Sequence, residues 1–495
     1  MILVYASKIT VTDVDIENIP KKFINALSVF DDSVNYPLIQ WTAMRRATSQ
    51  THGKCLVIPR FFPIKRIQEF LPDQKVVEYH TDHYIQPRFV DIGCHAEPRD
   101  DIQRNAQRFL KAEDEFSRNA HINMKRLALQ TGKGKTYSLI KFASDMGVLP
   151  IIFVHRQTFV ERWIKEGFEK FTTTTRDDIA VISGKDSLLK VMKHPEKYKA
   201  IIAMHRTFGN LLQESDGTKL VRQFFKVMRP GIKSYDEAHL EQKAVFHIDA
   251  VTDVWMTIDL SATFKKTARS AHRILSYMTP EYVSFGDDIE DKRERFHNVI
   301  FCKINSHPSQ QAIYATSRRR GFDAVAYAKH VEESSYDLLM ATVCSFIHKL
   351  HSNNPKIQIA ITVGSLPLAK QFHEDMTNYY PDHSIGQFTS IIKKIPKRLL
   401  ELEKDIIITT EKSFMAGEDC GVEVIINTVP IGGEGGIEQL VGRLRGGENK
   451  KALFIDITDV GFEKSYNQFS LRKKFIETEL AATSTLVDLT ASKVS

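Results

Sequence analysis

Two series of short apolar runs set the fold of this chain. The first falls at 126–129, 149–154, 180–182, 199–204, 231–235 and 254–260, and the second at 298–303, 357–363, 385–388, 405–409, 423–427 and 452–455. Helix-length sequence separates each run from the next. Strands buried on both faces read as continuous apolar runs, and the segments between them supply the covering helices. The rhythm therefore predicts two doubly wound parallel-sheet α/β domains in tandem. Residues 1–95 lack the rhythm and are expected to form a small N-terminal accessory domain. The expected division is 1–95, a first α/β domain over 96–269, a polar linker over 270–294, a second α/β domain over 295–462, and a C-terminal helix and polar tail over 463–495. A helical insert is expected at 310–350.

At 495 residues the chain is too long for a single core. No apolar run is long enough to cross a bilayer. The five cysteines, Cys55, Cys94, Cys302, Cys344 and Cys420, are scattered without a Cys-x-x-Cys pair. That argues against a zinc site and a disulfide framework, and a reducing cytoplasm is the expected compartment. The histidines show no metal-binding spacing. A net charge of +7 is modest for this length and is compatible with nucleic acid held in a local groove.

Two segments carry chemistry. Thr131-Gly132-Lys133-Gly134-Lys135-Thr136 lies between an apolar strand and a helix. Gly132 and Gly134 allow backbone N–H groups to turn toward phosphate oxygens, Lys135 reaches the outer phosphates, and the Thr136 hydroxyl suits Mg²⁺. The full phosphate-loop pattern asks for glycine at 129, where this chain has Leu129. The second segment, Asp236-Glu237-Ala238-His239, follows the strand 231–235. Asp236 at a strand end is suited to Mg²⁺ and Glu237 to polarising water. Together the two predict an ATPase using ATP and Mg²⁺.

The second segment resembles the DEAH box of superfamily 2 helicases and translocases. Other segments are similar to that family's motifs in order. Arg99-Asp100-Asp101-Ile102-Gln103 resembles the Q motif, whose glutamine reads adenine. The segment 155–163, with Arg156 and Gln157, looks like motif Ia. His205-Arg206-Thr207 is similar to the next backbone-binding segment, and Ser261-Ala262-Thr263 matches the SAT motif that couples nucleotide state to domain movement. In the second domain, 359–365 with Thr362 resembles motif IV. Thr409-Thr410-Glu411 followed by Gly417-Glu418-Asp419 looks like motif V. The segment 439–445 is similar to motif VI, with Gln439, Arg443 and Arg445; here the last arginine comes one residue early and Gly446 takes its usual place. The resemblance spans roughly 97–475. Within the superfamily the chain looks most like phage UvsW-type helicases that remodel branched DNA.

The resemblance implies two RecA-like domains with ATP in the cleft between them. Lys135, Thr136, Asp236 and Glu237 would come from the first domain, and Gln439, Arg443 and Arg445 from the second. Arg99, Gln103, Thr131, Gly132, Lys133, Gly134, Gly417 and Asp419 would bind nucleotide. His239, Ser261 and Thr263 would couple hydrolysis to motion. Arg156, Gln157, His205, Arg206, Thr207, Thr362 and Thr410 would track a nucleic-acid strand. It implies a monomeric DNA helicase acting on forks or junctions in recombination, replication or repair, in the cytoplasm of a host cell if phage-encoded. An RNA helicase, a translocase subunit without strand separation of its own, and an ATP-gated clamp remain open. The stretch 59–66, with Arg60, Phe61 and Phe62, mixes aromatic and basic residues and could stack on bases; a strand and turn with Phe61 or Phe62 in the core is the favoured expectation.

Overall fold

The first α/β domain is built on seven described strands, all parallel. Their order across the sheet is Ile179–Ile182, Ala200–Met204, Pro150–Val154, Ile232–Asp236, Met256–Leu260, Met124–Leu127 and Ser284–Phe285. The second sheet is also all parallel, in the order Ile385–Phe388, Ile406–Thr410, Ile359–Val363, Val424–Asn427, Leu453–Asp459, Asn298–Ile304 and Ser484–Asp488. These descriptions come from a computed structural model, which describes all residues except 32–37, 50, 130–131, 262–263, 265–268, 287–297, 319–320, 393–396, 398–399, 415–421, 432–436, 438–439, 445–451, 479–481 and 491–495. The chain divides into two compact units, Met1–Asp291 and Lys292–Ser495.

The central strands are apolar because helices cover both faces. Ile151, Ile152, Phe153 and Val154 are all fully buried, as are Ile406, Ile407 and Ile408 in the second sheet. Each such side chain contributes about 1.5–3 kcal/mol relative to exposure. Every strand the sequence predicts in the two series is present. Within 310–350 the expected helical insert forms Gln310–Thr316, Ala324–His330 and most of Tyr336–Asn353.

Residues 1–95 form a separate five-stranded mixed sheet in the order Arg45–Ser49, Gly53–Pro59, Lys8–Thr12, Ile2–Tyr5 and Val77–His80. Helices Lys21–Ala26 and Ile64–Phe70 pack on its core of Ile2, Val4, Ile9, Phe23, Leu56, Ile58 and Phe62. Phe62 is 1% exposed, so the core reading of that side chain holds.

The stretch expected as a linker over 270–294 holds structure in its described part. Helix Arg269–Met278 runs through it, and Ser284–Phe285 completes the first sheet beside Met124–Leu127. The helix looks polar in sequence because its polar groups serve the accessory domain. Ser270 Oγ accepts from the Phe30 N–H at 3.1 Å, and Arg273 donates to the Asn25 and Ser28 carbonyls at 3.1 Å. Tyr277 packs edge-on against Phe62 at 4.9 Å. Val29, Ala43 and Val57 share one buried core with the first α/β domain. The C-terminal region differs too. After helix Glu463–Thr478, the expected polar tail contains the edge strand Ser484–Asp488.

The second unit holds a buried ion pair. Arg472 Nε donates to Asp456 at 3.0 Å, and Arg472 also reaches Thr458 Oγ1 and the Ile431 carbonyl. Asn427 donates to the same carboxylate at 2.7 Å. Removing one partner strands the other charge out of water. Asp456→Ala is therefore expected to cost about 3–5 kcal/mol in denaturant unfolding; a loss under about 1 kcal/mol would be that of an exposed pair.

Candidate active site

All strands of the first sheet run the same way, so the segments leaving their carboxyl ends line one edge. Across that edge come His205, then His155, then Asp236, then Ser261, then the phosphate loop. Neighbouring strands thus bring together segments more than a hundred residues apart in sequence. Open parallel sheets hold ligands at this edge.

The phosphate loop enters helix Lys135–Asp145 through two left-handed glycines, Gly132 at φ 77° and Gly134 at φ 95°. A side chain is strained at either position. A Cβ at Gly134 would also collide with the Gln103 amide. Gln103 is 4% exposed; its amide oxygen accepts from the Arg99 N–H at 2.9 Å, and Arg99 Nη2 donates to the Gly132 carbonyl at 2.7 Å. Asp100 caps the helix that carries Gln103 by accepting from its N–H at 2.9 Å. The Gln103 side chain packs against Gly134 of the phosphate loop. Lys135 Nζ donates to the Leu129 carbonyl at 2.7 Å. Leu129 itself is 1% exposed and belongs to the core, which accounts for a leucine where the phosphate-loop pattern has glycine.

Asp236 ends its strand 7% exposed. Burial and the neighbouring Glu237 raise its pKa above the usual carboxylate value, while Trp163, Lys135 and Arg162 oppose the shift. Trp163 Nε1 donates to Asp236 Oδ2 at 2.9 Å. Glu237 sits at φ 51°, a left-handed conformation costly for a non-glycine residue. Its carboxylate is held by Ser261 Oγ at 3.2 Å and lies 3.4 Å from His239 Nδ1. Ser261 and His239 are 2.7 Å apart. The residue after the first carboxylate is thus tied to both segments that the sequence assigned to coupling.

The donor set suits a nucleotide with Mg²⁺. Backbone N–H groups at a helix N-terminus and a lysine meet phosphate oxygens. A threonine hydroxyl and a carboxylate are the hard oxygen donors that Mg²⁺ takes, with water and phosphate completing its shell. Among the described residues no group of three or more His, Cys, Asp or Glu side chains is placed to hold a metal ion.

Solved structures share this architecture. S. cerevisiae Dbp5 bound to RNA and ADP BeF3 is 14% identical, with 78% of this chain and 89% of that chain covered and a TM-score of 0.52. Mss116p bound to ssRNA and AMP-PNP is 13% identical, with 75% and 72% covered and a TM-score of 0.51. This is the tandem RecA-like helicase fold. T4 UvsW covers 99% of both chains at 13% identity with a TM-score of 0.36. No protein-family model matches this chain, and no curated protein matches it in sequence.

On the helicase fold, the expected nucleic-acid contacts divide. Arg156 and Arg206 are exposed and Gln157 is half-buried, on segments leaving adjacent strands. His205 is fully buried beside Phe153 and Tyr235, and burial lowers its pKa to about 3. It is a neutral core residue, not a surface contact. Thr207 is 8% exposed. Thr362 is fully buried and donates to Asn427 Oδ1 at 2.9 Å, so its hydroxyl serves the second core. Thr410 Oγ1 donates to Ser413 Oγ at 2.9 Å at the start of helix Glu411–Phe414. The His205 and Thr362 side chains are thus buried, whereas Arg156 and Arg206 are exposed.

Arg443 is 6% exposed, its N–H donating to the Leu440 carbonyl at 3.1 Å and its own carbonyl accepting from Val422 at 3.2 Å. Thr131, Thr263, Gly417, Asp419, Gln439 and Arg445 lie outside the described residues. Sequence reasoning placed Trp163 at the end of the segment resembling motif Ia and did not connect it to Asp236. No spacing rule signals a contact between residues 73 apart. Among the described residues no helix is long and apolar enough to cross a membrane.

Proposed function

We propose that this protein is a superfamily 2 nucleic-acid motor that hydrolyses ATP and uses the cycle to move on, and separate or remodel, branched DNA. The observation that carries the reading is the grouping of a glycine-strained phosphate loop, Asp236, Glu237, His239 and Ser261 along one edge of a sheet of the helicase fold. In this reading Lys135 and the loop N–H groups hold the phosphates, and Thr136 and Asp236 hold Mg²⁺. Bound Mg²⁺ would neutralise charge on the outer phosphate oxygens. Glu237, fixed by Ser261 and His239, orients the attacking water and accepts its proton. Gln439, Arg443 and Arg445 keep the catalytic roles the resemblance implies, the arginines supplying positive charge. Gly417 and Asp419 keep the nucleotide-binding role the resemblance implies, and Thr263 the coupling role. Arg156, Gln157 and Arg206 contact the nucleic-acid backbone, which needs no base reading.

Dbp5 and Mss116p are bound to RNA in their solved structures. The choice of DNA rests instead on the sequence resemblance to UvsW-type helicases. A substrate panel tests it. Forked and four-way DNA are expected to stimulate ATP turnover at least about tenfold more than RNA of equal length, a gap of about 1.4 kcal/mol. Equal or stronger stimulation by RNA would replace the DNA reading with the RNA one and leave the ATPase assignment standing.

A further inference from the structure

We propose that Trp163 is a positioning residue: it links the segment that contacts the nucleic-acid backbone to the two residues that hold the metal. The inference rests on the ATPase reading above and goes beyond it, because the motif Ia resemblance of 155–163 implies contact with nucleic acid and no link from Trp163 to the metal-holding residues.

Three observations meet on one short stretch of chain. Helix Gln157–Arg162 leaves the sheet edge just after Arg156, and continues without a break into a π-helical turn, Trp163–Phe168. Such wide turns are rare and recur at functional sites. From the first residue of the turn, the Trp163 indole N–H donates to Asp236 Oδ2 at 2.9 Å, with Trp163 only 2% exposed. From its fifth residue, Gly167 lies against the phosphate-loop helix. A Cβ at Gly167 would come within 3.1 Å of both Thr136 Cγ2 and Ile140 Cδ1. One continuous helical element therefore touches Asp236 by a hydrogen bond and Thr136 by packing, while its leading end presents Arg156 and Gln157.

The chemistry explains the residue types. An indole has one donor and no acceptor, so it can only approach a carboxylate oxygen and fixes the rotation of that group. A phenylalanine fills the same space without the donor. At 167 a methyl group would meet the Thr136 and Ile140 side-chain ends at 3.1 Å, so a larger residue there presses on the helix that carries Thr136. Partners one shell out from a metal typically change its affinity by about 10–100-fold when removed. A shift of the helix caused by a phosphate at Arg156 or Gln157 thus reaches the metal-holding pair without crossing flexible loop.

The test uses the full chain. Binding of a fluorescent ADP analogue is titrated with Mg²⁺ for wild type, Trp163→Phe and Gly167→Ala, and DNA stimulation of ATP turnover is measured alongside. Trp163→Phe is expected to raise the half-saturating Mg²⁺ by about tenfold or more and to reduce the DNA stimulation ratio, with metal-free nucleotide affinity changed less than about twofold. Gly167→Ala should move both readouts in the same direction. A chain with Trp41→Phe and Trp255→Phe keeps Trp163 as its sole tryptophan. Its emission should shift with Mg²⁺-ADP and not with ADP in chelator, and this decides the matter if Trp163→Phe does not fold. Unchanged Mg²⁺ dependence and DNA stimulation in Trp163→Phe, or an unresponsive Trp163 emission, would overturn the link. Wild type that binds no nucleotide at all would instead overturn the ATPase reading.

Discussion

Arg443→Ala is expected to lower DNA-stimulated ATP turnover by about 10³–10⁵-fold, the range for an arginine that stabilises charge on a transferring phosphoryl group. The side chain is 6% exposed, so a structural cost must be separated from a chemical one. Two companion readouts do this. Nucleotide affinity should fall far less than turnover, because the charge it meets develops in the transition state. Arg443→Lys should recover little, since an ammonium lacks the planar fork that engages two oxygens at once. A variant that melts like wild type and turns over ATP within about tenfold of it would remove Arg443 from the chemistry.

Glu237→Gln should abolish steady-state turnover, by about 10²–10⁴-fold, while leaving ATP bound. The amide keeps the size of the side chain and its contact with Ser261 Oγ, 3.2 Å away in the wild type, and loses the capacity to take a proton. The backbone at φ 51° should be unaffected, because the substitution changes only the end of the side chain. Binding therefore separates two explanations. Lost turnover with retained affinity marks a base; lost turnover with lost affinity marks a structural role. Ser261→Ala offers no such separation, since Ser261 touches both Glu237 and His239.

Much of the architecture was legible because parallel strands buried on both faces leave continuous apolar runs. Ile151 to Val154 and Ile406 to Ile408 are examples. The elements missed are those whose stability comes from neighbours. Ser284–Phe285 is two residues long, too short to form a pattern, and exists because Met124–Leu127 offers an open edge. Ser484–Asp488 is a largely exposed edge strand, so its sequence is polar. Helix Arg269–Met278 hides its partners, since Ser270 and Arg273 bond to backbone of the accessory domain. The site was legible in the same uneven way. Lys135, Asp236 and Glu237 follow strands at recognisable spacing, and adjacency in the sheet then brings Ser261 to Glu237. His205 follows a strand just as Arg156 does nearby, yet it turns into the core between aromatic rings. Trp163 reaches Asp236 only through the tertiary fold, so nothing in its local sequence announces the contact.

In the proposed function the edge carrying Lys135, Asp236 and Glu237 hydrolyses ATP under the control of nucleic acid. Phosphate release from Mg²⁺-ATP, measured for wild type and Glu237→Gln with and without single-stranded DNA, tests it most directly. Wild type alone is expected to release phosphate slowly, with a rise of at least about tenfold when DNA is added, and Glu237→Gln to stay at background in both conditions. Release by Glu237→Gln equal to wild type, or a wild-type rate at background with every nucleic acid, would contradict it.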